Sequence, residues 1–185
     1  IQELSLGLKA EVGDITGLKF QDCSFTHVLA FGLYHNFEEE MIEKALEETY
    51  RVMKQKGVLC ASFRADNLQN FLNDKYFSHG LASNDTDEQK RSFKGEFHKI
   101  NLTKKEIMNF VSKAGFEVKK IYEIENMPLL YKFEFFRHQS HKKFDENISR
   151  RDGYLLNPLG LTFQGLLRLF SRRHFCNVYV VVCEK

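Results

Sequence analysis

The 185 residues contain no tryptophan, two prolines and four cysteines. The cysteines, Cys23, Cys60, Cys176 and Cys183, are scattered and form no C-x-x-C pair, which argues against a zinc ribbon or a dithiol redox motif. No grouping of residues reads as a metal-ligand set. Cys60 and Cys183 fall inside apolar runs and read as small core hydrophobes, with a reduced, cytoplasmic setting as the expectation. No apolar run reaches the ~18 residues that a membrane-spanning helix needs, and no secretory signal opens the chain. An excess of charge of one sign is lacking too. A formal net charge of +2 gives the molecule as a whole no nucleic-acid or membrane signature. No internal repeat or low-complexity tract interrupts the sequence. Also missing is any G-x-G-x-G-like loop, the device by which many nucleotide folds approach a ligand with bare backbone.

What is present is an apolar content of 43%, including 18 phenylalanines, on a chain of single-domain length. Residues 8–13 alternate weakly and read as a short strand. Residues 25–33 are almost all apolar, as in a strand covered on both faces. Residues 38–55 form a strong helix, with apolar side chains at three-and-four spacing and Glu38, Glu39 and Glu40 at its positive end. Another buried strand is expected over 57–63, a short helix over 68–77, and a polar loop over 78–92. Thr103 with Glu106 forms a capping box, opening a helix that Gly115 closes. Residues 116–125 alternate as a strand, 161–171 form a short amphipathic helix, and 177–183 form a last strand. Strands alternating with helices predict an α/β fold with a mostly parallel sheet. The direction of the last strand pair is not set by pattern.

In such a sheet, ligands gather at the carboxyl ends of the strands. The first expected tip is Gly13-Asp14-Ile15. A carboxylate there either accepts from the exocyclic amine of an adenine or merely caps a turn. The second is Ala30-Phe31-Gly32-Leu33-Tyr34-His35, where Gly32 permits close backbone approach. His35 either faces a crevice or packs. The third carries Arg64, which either grips an anionic substrate group in a bidentate manner or stays solvated.

The order of these motifs resembles the later half of a class I S-adenosylmethionine-dependent methyltransferase (methyltransferase type 11-like). Gly13-Asp14 stands where that family has G-D after its third strand. Phe25-Thr26-His27-Val28 stands for F-D-x-V, and Arg51-Val52-Met53-Lys54-Gln55-Lys56-Gly57 for R-V-L-K-P-G-G. Leu102-Thr103, Glu106 and Ala114-Gly115-Phe116 stand for the later L-T-x-x-E and A-G-F. Thr26 replaces an acid, and Gln55-Lys56 replaces Pro-Gly. The resemblance implies a Rossmann-like sheet with helices on both faces and S-adenosylmethionine as cofactor. It further implies Asp14 on the adenine amine, Ile15 against the ring, Ala30 and Phe31 along the methionine part, and Tyr34 and His35 facing the site of transfer. His35 is the leading candidate for proton acceptor. The family's first two strands and their glycine-rich loop have no counterpart here, and the chain opens at Ile1 in mid-helix. The expectation is a single domain over 1–185 that lacks its front, leaving the strand at 25–33 as an exposed apolar edge.

A basic insert over 126–175 precedes the last strand. It reads as a lid over an acidic or phosphorylated small-molecule substrate, as an interfacial helix near anionic lipid, or as a solvated cover. Arg137, His138, His141 and Tyr154 are its candidate substrate contacts. Methyl transfer to an oxygen or nitrogen of a small molecule, a sugar or a lipid-linked precursor is the leading function, with no nucleic-acid partner expected. A non-catalytic methyltransferase-like module and a nicotinamide-dependent reductase are the alternatives, although the reductase would need the same absent glycine-rich loop. Oligomeric state is not legible.

Overall fold

The computed structural model describes residues 9–77 and 99–185. The expected helix tail before residue 8 and the polar loop over 78–92 lie outside them. Four strands, β1 (Phe25–Ala30), β2 (Met53–Arg64), β3 (Glu117–Ile124) and β4 (Val178–Glu184), form one sheet in the order β1-β2-β4-β3. β1 runs parallel to β2, and β4 runs antiparallel to both of its neighbours. β1, β2 and β3 therefore share a direction and β4 opposes them. The last strand enters between two elements already in place and turns the sheet from parallel to mixed.

Alternation along the strands builds one face. Val28 pairs with Leu59, which pairs with Cys183; Ala30 lies beside Ala61, and Ala61 beside Val181; Phe63 meets Tyr179. Against this face pack α1 (Glu39–Val52), through Ile42, Ala45 and Leu46, and α3 (Lys104–Lys113), through Ile107, Phe110 and Val111. Both helices begin as the sequence reads. Glu39 and Glu40 sit in the first turn of α1, where negative charge suits the dipole. Thr103 and Glu106 form the reciprocal capping box of α3, and Gly115 takes φ 99° just past its end. The opposite face of the sheet exposes Leu29, Tyr122 and Ile124.

Two local expectations change. Residues 9–13 form no strand, and Val12 is 99% exposed. Extended backbone becomes a strand only when a neighbour takes up its N–H and C=O groups, and the described residues offer none there. β1 stops at Ala30 rather than 33 and is not covered on both faces; Leu29 is 72% exposed. Among the described residues it is an edge strand of the sheet.

α1 runs directly into β2. Phe25 pairs with Met53 but His27 pairs with Val58, so residues between Met53 and Val58 bulge out of register. Lys56 occupies this bulge at φ 62°, a conformation glycine adopts freely, in the place where the resembled motif has glycine. Its N–H donates to the carbonyl of Lys185, which ties the bulge to the C-terminus.

Beyond β2, a five-residue helix α2 (Leu68–Leu72) continues as a π turn, Asn73–Phe77. Between β3 and β4 the chain makes three 3₁₀ turns and two helices, α4 (Glu146–Asp152) and α5 (Pro158–Ser171). Because β4 is reversed, this insert joins the carboxyl end of β3 to the amino end of β4. Both lie at the end of the sheet where β1 and β2 also finish.

Candidate functional site

The chain leaves β1 at Phe31 and turns at Gly32, whose φ of 69° demands the freedom of glycine. The Gly32 N–H donates to Ser62 Oγ on β2, and the Asn36 amide donates back to the carbonyls of Gly32 and Leu33. A 3₁₀ turn, Tyr34–Asn36, follows. A side chain added at Gly32 would meet no atom within 4 Å, so open space lies above this turn. Ala30 is buried just beneath it, while Phe31 is 56% exposed. A small buried residue, an exposed ring and an open backbone turn are consistent with the wall of a ligand cleft.

The two polar rings of the turn differ in burial: Tyr34 is buried and His35 half-buried. Tyr34 points into the core. It is fully buried, stacks on Phe63 at 5.1 Å between ring centroids, and meets Thr49 Oγ1 through its hydroxyl at 3.3 Å. Burial pushes its phenol above the usual tyrosine range. This corrects the expectation that Tyr34 faces a site of transfer; it is a core residue.

The His35 carbonyl accepts from Ile100 N–H, which pins the strand-end crossing at residues 99–102 against the turn. Leu102 bridges to Ala65, and its N–H donates to the Arg64 carbonyl. The imidazole thus lies in the field of Lys99 and Arg64. Burial first, then those two charges, hold it below the usual histidine range. Its Nδ1 is buried and finds no hydrogen-bond partner among the described residues. A neutral imidazole with an unused nitrogen, in a positive setting at a strand tip, can accept a proton and favours a negative group beside it.

Arg64 holds no spare grip for an anion. Its guanidinium binds the Asp74 carboxylate through Nη1 and Nη2 at 2.8 and 2.6 Å and also donates to Asn101. The side chain fastens the π turn and the 99–102 crossing to the tip of β2, and its part in the site is to position both. Sequence reading missed Lys99 and Asn101. No motif marks them, and they reach His35 and Arg64 only because the chain returns across the strand ends.

Asp14 is exposed and forms the turn that was the alternative to adenine contact. Its Oδ1 accepts from the N–H and the hydroxyl of Thr16 at 2.8 and 2.7 Å. These bonds hold its carboxyl below the usual range. Both use Oδ1, so Oδ2 faces solvent. Ile15 is half-buried against the core cluster. Arg51, at the end of α1, anchors the rest of this loop, donating to the carbonyls of Leu18 and Phe20 and to Asp22 while bridging Glu48.

Of the four candidates in the insert, Arg137, His141 and Tyr154 pack around Tyr131, while His138 is exposed. Tyr131 is fully buried, with its hydroxyl 3.0 Å from His141 Nδ1 and 2.7 Å from Ser149 Oγ. Tyr154 meets the Tyr131 ring edge-on at 5.1 Å. Arg137 lies over the Tyr131 and Phe144 rings and donates to the carbonyls of Tyr131, Lys132 and Lys142. His138 caps the following turn through Ser140. These roles are structural, correcting the reading of Arg137, His138, His141 and Tyr154 as substrate contacts.

Comparison with known proteins bears on the fold. Residues 2–61 match the family described as Methyltransferase domain. No curated protein matches the chain. A solved S-adenosylmethionine-dependent methyltransferase from Methanosarcina mazei is similar at TM-score 0.53 and 14% identity, over 95% of this chain and 66% of that one. One from Archaeoglobus fulgidus is similar at 0.51 and 14%, over 90% of this chain and 62% of that one. A putative sarcosine dimethylglycine methyltransferase from Galdieria sulphuraria is similar at 0.53 and 12%, over 100% and 62%. The chain therefore spans 62–66% of the length of these structures. Its α/β fold is that of these S-adenosylmethionine-dependent methyltransferases.

Proposed function

We propose, on the premise of that fold, that the protein binds S-adenosylmethionine and transfers its methyl group to an oxygen or nitrogen of a small molecule, a sugar or a lipid-linked precursor. The observation that carries the reading is the strand-tip turn from Ala30 to His35, within a sheet whose last strand is reversed between two parallel-running neighbours. When bound, the cofactor supplies an electrophilic methyl on a sulfonium. The residues of the chain do the rest. Ala30, Phe31 and the open backbone at Gly32 form one wall of the cleft, and Asp14 Oδ2 is placed to accept from an amine. Ile15, half-buried beside it, offers an apolar surface for a ring.

His35 is the candidate to take the proton from the acceptor hydroxyl or amine. Its lowered pKa favours the neutral imidazole that this role needs. The charge of Lys99 beside it would favour an acceptor oxyanion as it forms. The insert, attached at the same end of the sheet, covers the acceptor as a lid. The opposite wall of the cleft belongs to residues outside these 185. The exposed edge of β1 supports that view, with Leu29 72% and Phe31 56% exposed.

Isothermal titration tests this with S-adenosylhomocysteine, comparing the intact gene product with the 185-residue chain. The expected result is a Kd on the order of micromolar for the intact product, weakened at least tenfold in the chain alone and in Asp14→Ala. No binding to the intact product would favour the non-catalytic module instead.

A further inference from the structure

α5 is built inside out. The side it turns to the protein carries Gly160, Gln164 and Arg168, four residues apart. Gly160 is buried so closely that an added Cβ would lie 2.7 Å from the Phe136 carbonyl. Gln164 is buried, accepts from Leu130 N–H and donates to Glu125, which also pairs with Arg168. The side turned to solvent carries Leu159, Phe163, Leu166 and Phe170 at spacings of four, three and four, with Leu169 beside them. Phe170 is 93% exposed, Leu169 85% and Leu166 55%. Phe135, on the adjoining 3₁₀ turn, is 71% exposed. Leu130, Phe136, Phe163, Leu166, Leu167 and Phe170 line a groove of about 250 Å³ along the stripe.

Water-exposed leucine and phenylalanine in one contiguous patch mark a surface with a partner, and the charges around it indicate which kind. Residues 153–183 contain no Asp or Glu, while Arg172 and Arg173 follow the stripe. Arg172 and Arg173 are exposed, as are Lys142 and Lys143 on the segment that Arg137 ties to Tyr131. An apolar stripe with a basic rim is complementary to the boundary of an anionic bilayer: acyl chains receive the rings and leucines while phosphates meet the guanidinium groups. No described helix is long and apolar enough to cross a membrane, so the contact is peripheral.

We infer that α5, with Phe135 beside it, docks the protein onto the surface of an anionic phospholipid membrane. Docking stands apart from the transferase reading. Only its consequence rests on that reading: the strand-tip site would face the bilayer and draw its acceptor from there.

Vesicle co-sedimentation of the intact gene product tests this directly, with no turnover involved. The probes are phosphatidylcholine vesicles with and without about one-third phosphatidylglycerol. Pelleting is expected to be at least about tenfold stronger on the anionic vesicles and to fall as salt rises from ~0.1 to ~0.5 M. Leu169→Ser with Phe170→Ser should abolish it while the melting temperature stays unchanged, because both side chains already face water. Arg172→Gln with Arg173→Gln should remove the preference for anionic lipid. No pelleting of the wild type, or equal pelleting of the L169S/F170S protein, overturns the inference. So does a concentration-dependent dimer that L169S/F170S dissolves in a protein that ignores vesicles, because the stripe would then join two copies.

Discussion

Substitutions at Tyr34 separate a core residue from a catalytic one. The ring is fully buried and stacked almost parallel on Phe63, 10° between planes. Tyr34→Ala removes that ring and leaves a cavity between α1 and β2. Loss of a buried aromatic costs about 3–5 kcal/mol, which at ~2–4 °C per kcal/mol for a chain of this size lowers Tm by roughly 6–20 °C. Tyr34→Phe keeps the ring and the stacking and removes only the hydroxyl. The bond lost is long, 3.3 Å to Thr49 Oγ1, and that hydroxyl keeps its 2.7 Å donation to the Ala45 carbonyl. No buried group is orphaned, so the cost falls at the low end of the usual range, about 0.5–1 kcal/mol.

Urea titration followed by circular dichroism gives both stabilities, and S-adenosylhomocysteine titration gives cofactor affinity. The expected outcome is a large stability loss in Y34A, a small one in Y34F, and wild-type affinity in Y34F. A Y34F protein of unchanged stability that binds at least about tenfold more weakly, a difference of ~1.4 kcal/mol, would refute the placement. So would a Y34A protein that loses less than about 1 kcal/mol, outside the range for emptied aromatic sites.

Two further outcomes follow from the bulge and the strand-tip histidine. Lys56 at φ 62° carries the left-handed penalty of an L-residue, ~1–2 kcal/mol, part of which glycine gives back as backbone entropy. Lys56→Gly should therefore raise stability by about 0.5–1 kcal/mol in the same urea assay, since the donation to the Lys185 carbonyl is from backbone; a loss of stability would show that the bulge imposes no strain. His35 is held below its ordinary value of 6.5 by burial, then Lys99, then Arg64. Between that lowered value and 6.5 the unfolded chain binds more protons than the folded one, so stability falls as pH drops through this window. Lys99→Gln removes one like charge and should shift the His35 midpoint upward, read by NMR with H35Q as the assignment control; a wild-type midpoint at or above 6.5, or one unmoved in K99Q, would contradict the geometry.

The parts of the fold that were legible in sequence are those whose cause is local. α1 and α3 could be read because their apolar spacing, first-turn acids and capping box act within a few residues of one another. β3 and β4 could be read from alternation, but their direction could not. β4 is reversed because it slots between β2 and β3 after an insert of more than fifty residues, and no pattern within the strand encodes its neighbours. The site divides in the same way. The expected strand tip at Asp14 is a turn instead, closed by Thr16, while the tip that leads to His35 is present. Arg64 was misread because its partner Asp74 arrives on a π turn ten residues later, and Tyr34 because family order alone does not fix which way a ring turns.

Val28, Ala30 and Tyr34 all join the core cluster, but β1 ends at Ala30 and the chain turns at Gly32, so strand parity could not have placed Tyr34. Residues 9–13 fail for the complementary reason. Alternation there specifies a face, but a strand also needs a neighbour's N–H and C=O groups at hydrogen-bonding distance, and the described residues supply none. The same deficit accounts for the exposed edge of β1, where Leu29 and Phe31 face solvent. Among the described residues, a lack of paired backbone therefore accounts for both the unformed strand at 9–13 and the bare edge of β1.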